Sequence, residues 1–600
     1  MEHQAQISTT SRVYVYDTDS RVWSRKNCSS GFAYSDGEAT EAYVAKVIRS
    51  ASDLGTDSAE LRDAIRDWPT RYHFDGCRAN LLRPIQKHLQ GTVLEIGAGC
   101  GAITRYLGEC GGSVVAVEGS QRRATIAASR CRDLPNVQVY CDNIAHFQNA
   151  TRFDVVTLIG VLEYSRRFLD AQDPIGEMLS YCYEFLKPDG LLIVAIENQL
   201  GLKYFAGAPE DHGGQTYKGV MDLYTADSAV TFGRRELVGR LEKSGFAHCS
   251  FLYPLPDYKL PRIILHEAAF QEPLDFLGLL QGADQSSDCG SRLFAEELTW
   301  PVLVRNGLAP DLMNSFLVIA SKYATPRLDA ADRVDMYTSA RCRAFAKATH
   351  IRRERSGLVV RRERLYGESE PLRGKYSQIL EDEPCLAGEL YVNELVRIVN
   401  RPGWTAEDIA DWAKPWLELL VSAATGQNRH GTSTAPHTDE LQLPGRFVDC
   451  TPFNVVKSPD DTLHPFDLEY AANKPVPFSF VAFRGLYISL AKRSTVAKSK
   501  SSRRIAKLIR EVMMLAGLPL SARQCRDAVA REGEFQQIVC ASLRPPISEA
   551  WAKMSMLLKR LSMRPATRPT VAGRVLRRLK RVLRNVLRRA SLIGKSRLGG

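Results

Sequence analysis

The sequence predicts an α/β protein organised around an open, mostly parallel sheet with helices on both faces, followed by an α+β segment and a helical region. Three observations predict this. Residues 91–120, GTVLEIGAGCGAITRYLGECGGSVVAVEGS, read as strand, glycine turn, helix and second strand. Apolar strand-like runs then alternate with helical stretches as far as residue 198. With 44% hydrophobic and 25% charged residues the composition is that of a folded protein, and 600 residues imply several domains.

The elements follow in order. Residues 1–58 form an N-terminal extension in which VYVYDTDSRVW suggests one or two strands and EATEAYVAKVI a helix. Residues 59–89 suggest two helices broken near Pro69, leading into the glycine stretch. There Val93, Leu94 and Ile96 suit a buried parallel strand, and Gly97, Gly99 and Gly101 allow a sharp turn and close approach to a ligand. The helix that follows offers free N–H groups at its start, with Ala98 inside the turn. The second strand ends in Glu118, whose carboxylate can accept two hydrogen bonds from vicinal hydroxyls. A third strand, NVQVYCDN, ends in Asp142 and Asn143, and a fourth, FDVVTLIGVLEYS, carries Gly160 at the start of a loop. EMLSYCYEFLKPDGLLIVAIEN supplies a helix, a Pro-Asp-Gly turn and a fifth strand. The glycine-rich loop 198–214 is long enough to carry function. Residues 234–256 give a helix and a strand, and 315–322 an antiparallel last strand, with an insertion at 265–312.

GAGCGA alone also satisfies the G-x-G-x-x-G/A pattern that seats a pyrophosphate at a helix N-terminus. Glu95, two residues before Gly97, would repel a pyrophosphate and tolerate a cation. The E-x-G-x-G-x-G form, with Glu118 closing the next strand and LKPDGLLIV further on, resembles the class I S-adenosylmethionine-dependent methyltransferases. The resemblance covers 59–325 and implies a Rossmann-like seven-stranded domain. It also implies a cofactor site at Glu95, Gly97, Ala98, Gly99, Gly101, Glu118, Asp142, Asn143 and Gly160, with Glu118 on the ribose and Asp142 on the adenine amino group. Residues 198–214 resemble methyltransferases associated with bacterial surface polysaccharides, which implies a glycan or related polar acceptor.

Methyl transfer to a hydroxyl needs an aligned nucleophile and a proton acceptor. His212, Asp211, Glu210 and His73 are the candidates, with a solvated loop residue the alternative for each; Tyr72 and Arg78 are further pocket candidates. Nucleic acid is disfavoured as acceptor, since Leu162-Glu163-Tyr164 stands where an N/D-P-P-Y/F motif would follow the fourth strand.

Composition shifts after Ala324-Thr325-Pro326, so a second module is expected over 326–490. Residues 333–367 alternate in a strand-like way across a basic turn. FVDCTPFNVVKSPDDTLHPFDLEY resembles the catalytic and metal loops of aminoglycoside/choline-kinase-type phosphotransferases. The resemblance implies Asp449 as proton acceptor, Asn454 and Asp467 as Mg²⁺ ligands, ATP as donor, and Lys347 as the phosphate-pairing lysine with Glu389 or Glu394 as its partner. A Gly-rich loop before Lys347 is missing, and Phe447-Val448 replaces His-Gly. The order of the modules resembles bifunctional kinase–methyltransferases that cap O-antigen chains.

Residues 491–570 read as helical. The net charge of +12 belongs to the C-terminus, where residues 559–600 hold fourteen Lys or Arg and no Asp or Glu. Within 571–600 the apolar positions fall on one helix face and arginines on the other, which suits an anionic membrane surface; a coiled-coil seam or phosphate contacts are alternatives. The fourteen cysteines show no C-x-x-C pair and no Cys/His cluster, so neither a metal in the first domain nor a disulfide framework is expected. With no signal-like leader and no run of about 18 apolar residues, a cytoplasmic protein, peripheral at the inner face of the membrane, is expected.

Overall fold

The N-terminal segment adds a hairpin and a helix to the expected domain: β1 (Tyr14–Asp17), β2 (Val22–Arg25) and α1 (Glu38–Ser50). The computed structural model describes residues 13–26, 35, 37–282, 292–324, 328–367, 374–426, 438–493, 496–540, 556–557 and 559–561. Next come α2 (Ala59–Asp63) and α3 (Trp68–Phe74). Pro69 sits in the first turn of α3, where its missing N–H costs nothing, so it starts this helix.

The central units follow as β3 (Thr92–Ile96), α4 (Ala102–Glu109), β4 (Ser113–Glu118), α5 (Gln121–Arg130), β5 (Val137–Cys141) and β6 (Phe153–Ile159). Then come α6 (Pro174–Phe185), β7 (Leu186–Glu197), α7 (Arg234–Lys243), β8 (His248–Leu255), β9 (Ile263–His266) and β10 (Ser315–Ser321). The strand order β5-β4-β3-β6-β7-β10-β8 places β3 in the middle, with β3 to β7 mutually parallel. β10 runs antiparallel between β7 and β8. The expected Pro-Asp-Gly turn is a bulge inside β7: Phe153 pairs with Leu186 but Val155 with Leu191, so the residues between loop out.

Alternation along the strands feeds two cores. Leu94, Ile96, Leu192 and Val194 pack on one face with Met178 and Leu179 of α6 and Leu237 and Leu241 of α7. Val93, Ile193 and Ala195 pack on the other with Ile103 and Leu107 of α4 and Ala124 and Ala127 of α5. Each fully buried aliphatic side chain contributes about 1.5–3 kcal/mol, which fixes the register of the sheet.

Two expectations change here. Among the described residues the seven strands belong to a fourteen-stranded sheet: β2 extends it beside β5, and β9 extends it beside β8. The insertion expected from residue 265 therefore begins inside a sheet strand. β9 in turn pairs with β11 (Asp332–Tyr337), followed by β12 (Lys347–Glu354) and β13 (Gly357–Arg364). The sheet is thus continuous across the boundary expected at 325/326, because backbone pairing on an open edge does not require a break where composition shifts.

Beyond it α8 (Val392–Asn400), α9 (Ala406–Thr425), α10 (Phe478–Ala491), α11 (Ile505–Leu515) and α12 (Ala522–Cys540) enclose a separate core around Trp416, Phe478 and Phe483. The basic segment 571–600 lies outside the described residues. Among the described residues, no helix is long and apolar enough to cross a membrane.

Candidate active site

A cleft of about 280 Å³ opens at the carboxyl ends of β3, β4, β5 and β6, lined at its floor by Gly97, Ala98, Gly99 and Glu118. The turn after β3 needs glycine. Gly97 and Gly101 have φ of 80° and 82°, and a Cβ would meet Val161 Cγ2 at 2.5 Å and the Ala127 Cα at 2.8 Å, respectively. The Gly97 and Ala98 N–H groups donate to the Val117 carbonyl, tying the turn to β4.

Glu118 faces that turn. Its Oε2 accepts the Gly99 N–H at 2.8 Å and its Oε1 the Ser120 N–H at 2.9 Å. Glu95 is buried and lines the same cleft, and its Oε2 has no hydrogen-bond partner. Burial pushes the Glu95 carboxyl up to about 7, against the pull of Thr104 and Arg78.

Asp142 and Asn143 line the cleft as well, but the expected contact of Asp142 with an adenine amino group meets a prior commitment. Its Oδ2 accepts from Tyr14 Oη at 2.6 Å and Arg25 Nη2 at 2.7 Å, and its Oδ1 from the Asn143 N–H at 2.9 Å. The carboxylate therefore anchors the N-terminal hairpin beside the cleft.

At the other end stands a polar group that sequence spacing did not reveal. Gly160 (φ 70°) follows β6 and leaves room for the Tyr258 hydroxyl, which a Cβ would meet at 2.8 Å. Glu163, Glu197 and His212 each bring one donor atom to within 4.8 Å of the others. Glu197 and Glu163 are fully buried. His212 Nε2 lies 3.2 Å from Glu197 Oε2, and its Nδ1 2.8 Å from Tyr164 Oη. Lys259 Nζ holds Glu197 Oε1. Burial, reinforced by the Glu197 charge, raises the Glu163 carboxyl, while Lys259 and His212 outweigh burial at Glu197 and hold it ionised. Burial would depress the His212 imidazolium, but Glu197 outweighs it and pushes it up to about 9.

Of the residues expected to accept a proton, His73, Asp211 and His212 line the cleft. Asp211 is bound to Lys203 Nζ at 2.7 Å, Tyr204 Oη at 2.5 Å and Lys259 Nζ at 3.3 Å. These cations overcome burial and hold it well below the usual carboxylate range, so it is a weak base that fixes the lysines in place. Glu210 Oε2 accepts the N–H groups of His212 and Gly213 and shapes their loop. Arg78 stacks over Tyr72 at 4.0 Å, and both line the cleft. The sequence reading missed Glu197, Tyr258, Lys203 and Lys259. Only Glu197 carried a signal, its place at the carboxyl end of a parallel strand.

In the second module Lys347 Nζ pairs with Asp467 Oδ1 at 2.7 Å and Glu469 Oε2 at 3.0 Å. This corrects the expected partner: Glu389 pairs with Arg397, and Glu394 lies 3.9 Å from Lys457. Asn454 Nδ2 donates to Asp449 Oδ2 at 2.9 Å. Asp449 also pairs with Arg484, which pairs with Glu532 at 2.7 Å, so its carboxylate is tied into a buried ion triad.

The strand order and a cleft at the carboxyl ends define a Rossmann-like α/β fold of the methyltransferase type. Residues 94–192 match the family model described as Methyltransferase domain. An uncharacterized methyltransferase of Alkaliphilus oremlandii (strain OhILAs) is 29% identical over 111 residues, 18% of this chain and 48% of that protein. A ubiquinone biosynthesis O-methyltransferase of Bradyrhizobium diazoefficiens is 31% identical over 110 residues, 18% of this chain and 40% of that protein. The chain thus spans less than half the length of these curated relatives. Among solved structures, phosphoethanolamine N-methyltransferase 2 of Haemonchus contortus with S-adenosyl-L-methionine is similar at 17% identity and a TM-score of 0.25, covering 41% of this chain and 52% of that one.

Proposed function

We propose that the protein is an S-adenosylmethionine-dependent methyltransferase that methylates an oxygen of a bacterial surface glycan or a related polar acceptor. The observation that carries the reading is the pairing of two carboxylates on one glycine turn: Glu118 held by the Gly99 amide, and Glu95 buried with an unpartnered oxygen. A pyrophosphate would be repelled there, whereas a cationic adenosyl cofactor fits. The methyltransferase-domain match over 94–192 supports the methyltransferase part of this reading.

When bound, S-adenosylmethionine supplies a methyl group on positively charged sulfur. Glu118 would accept hydrogen bonds from ribose hydroxyls, Glu95 would face positive charge, and Gly97 and Gly99 would admit the ligand against bare backbone. Trp68, Phe168 and Tyr258, lining the same cleft, help exclude water from the transfer.

The test is transfer of labelled methyl to polysaccharide extracted from cells that lack the protein, with label recovered as a methyl ether. Tight cofactor binding in calorimetry without transfer to any glycan would favour a cofactor-binding scaffold at the membrane.

A second reading adds phosphotransfer from ATP and Mg²⁺ to the same polysaccharide end. The Lys347–Asp467 contact favours it, and the engagement of Asp449 by Arg484 opposes it. Transfer of labelled γ-phosphate, lost in Asp467→Asn, would establish it. For segment 571–600, attachment of a cytoplasmic protein to the inner membrane face is supported by its basic amphipathic pattern. Liposome co-sedimentation with and without the segment tests this, and equal sedimentation sinks it.

A further inference from the structure

We propose that Glu163, Glu197 and His212 form a binding site for one hard divalent cation of the Mg²⁺ or Mn²⁺ kind at the far end of the cleft. Their ligand atoms lie within 4.8 Å of one another. Donors around such an ion stand about 3 Å apart when adjacent and about 4 Å when opposite, at bond lengths near 2.1 Å. Small side-chain rotations therefore close the set.

Each ligand has one atom held from outside and another turned inward. Lys259 Nζ holds Glu197 Oε1, leaving Oε2. The Tyr258 hydroxyl stands 3.5 Å from Glu163 Oε1, and Glu163 Oε2 has no hydrogen-bond partner although the side chain is completely buried. Tyr164 Oη meets His212 Nδ1 at 2.8 Å and anchors the ring by that nitrogen, while Nε2 faces Glu197 Oε2 at 3.2 Å, where a bound ion would displace its proton. Outer partners of this kind orient the ligands of a metal ion. An unpartnered carboxylate oxygen, buried and lining a cleft, is the group that a cation would satisfy.

The nearby lysines are shared with carboxylates outside the cluster. Lys203 pairs with Asp211 at 2.7 Å, and Lys259 contacts Asp211 at 3.3 Å and Asp257 at 3.7 Å. Lys259 also holds Glu197 Oε1, so its charge is shared between the cluster and two carboxylates outside it. Two carboxylates and an imidazole, with no thiolate, suit Mg²⁺ or Mn²⁺ better than a soft metal, and three donors leave coordination positions for water or acceptor oxygens. That the ion orients the acceptor hydroxyl and eases loss of its proton rests on the methyltransferase reading; binding of the ion does not.

The experiment is a titration of the purified full-length chain with Mn²⁺ alone, free ion being read by electron paramagnetic resonance. One saturable site is expected, with affinity falling by at least roughly tenfold in Glu163→Gln and in His212→Ala, since losing a ligand costs no less than losing one of its outer partners. Near-ultraviolet circular dichroism reports whether each variant is folded. Absence of saturable binding to the wild type at millimolar Mn²⁺ overturns the proposal whatever the variants do, and so does unchanged affinity in both folded variants. Methyl transfer assayed separately keeps the two readings apart: a Mn²⁺ site lost in the variants stands even if no methyl is transferred, and transfer that persists in chelator without Mn²⁺ binding sinks the site alone.

Discussion

Glu118 Oε2 accepts the Gly99 amide N–H at 2.8 Å, so the residue that closes β4 is locked to the turn that follows β3. Its position follows from parallel pairing, Ile96 opposite Val117, which delivers both carboxyl ends to one edge. Glu118→Ala is expected to remove both the proposed ribose acceptor and the brace on the turn, weakening S-adenosylmethionine binding by at least roughly a hundredfold. Calorimetry reads this directly, and unchanged affinity refutes the assignment of the ribose site.

Glu95 makes stability depend on pH. Its carboxyl has an ordinary value of 4.5 and is pushed up to about 7 by burial, against the pull of Thr104 and Arg78. The folded chain therefore holds a proton that the unfolded chain has released. The stabilisation is complete below about 4.5 and is lost as pH rises through about 7, by up to about 3 kcal/mol. Glu95→Gln should remove this loss. Thermal unfolding of both proteins between pH 4.5 and 8 checks it, the difference between them isolating Glu95 from Glu163, and parallel profiles contradict the claim.

Gly101 caps α4 with φ of 82°, and a Cβ there would lie 2.8 Å from the Ala127 Cα of α5. Neither backbone can yield without separating the two helices that cover this face of the sheet. Gly101→Ala is expected to cost about 2–4 kcal/mol in denaturant unfolding, from strain and overpacking together. A shift under about 0.5 kcal/mol would show that the turn is free to move.

Arg484 sits buried between Asp449 and Glu532 in the second module. Arg484→Met leaves two carboxylates buried without their cation and is expected to cost about 3–5 kcal/mol. Adding Asp449→Asn and Glu532→Gln should recover part of that loss, as denaturant titration would show. No recovery would mean that the arginine acts through packing alone.

The sheet alternation, the glycine turn and a carboxylate at each of two strand ends were all legible, because each depends on residues within about thirty positions of one another. The continuity of the sheet past residue 325 was not. It rests on β9 meeting β11, where Val334 stands opposite Leu265, and local composition carries no trace of which distant edge a strand will join. Asp142 was legible as a strand-end acid, but its engagement by Tyr14 and Arg25 spans more than a hundred positions.

By itself the sequence determined the glycine cradle and the acids beside it, since backbone sterics and strand pairing act over short spans. Only the tertiary structure decided the rest. Glu163, Glu197 and His212 come from three different loops and strand ends, and they converge because the parallel sheet brings every carboxyl end to the same edge. The same folding surrounds Asp211 with two lysines and turns a candidate base into their anchor. Charge and burial at a site are sums over neighbours in space, and those neighbours are chosen by packing rather than by spacing along the chain.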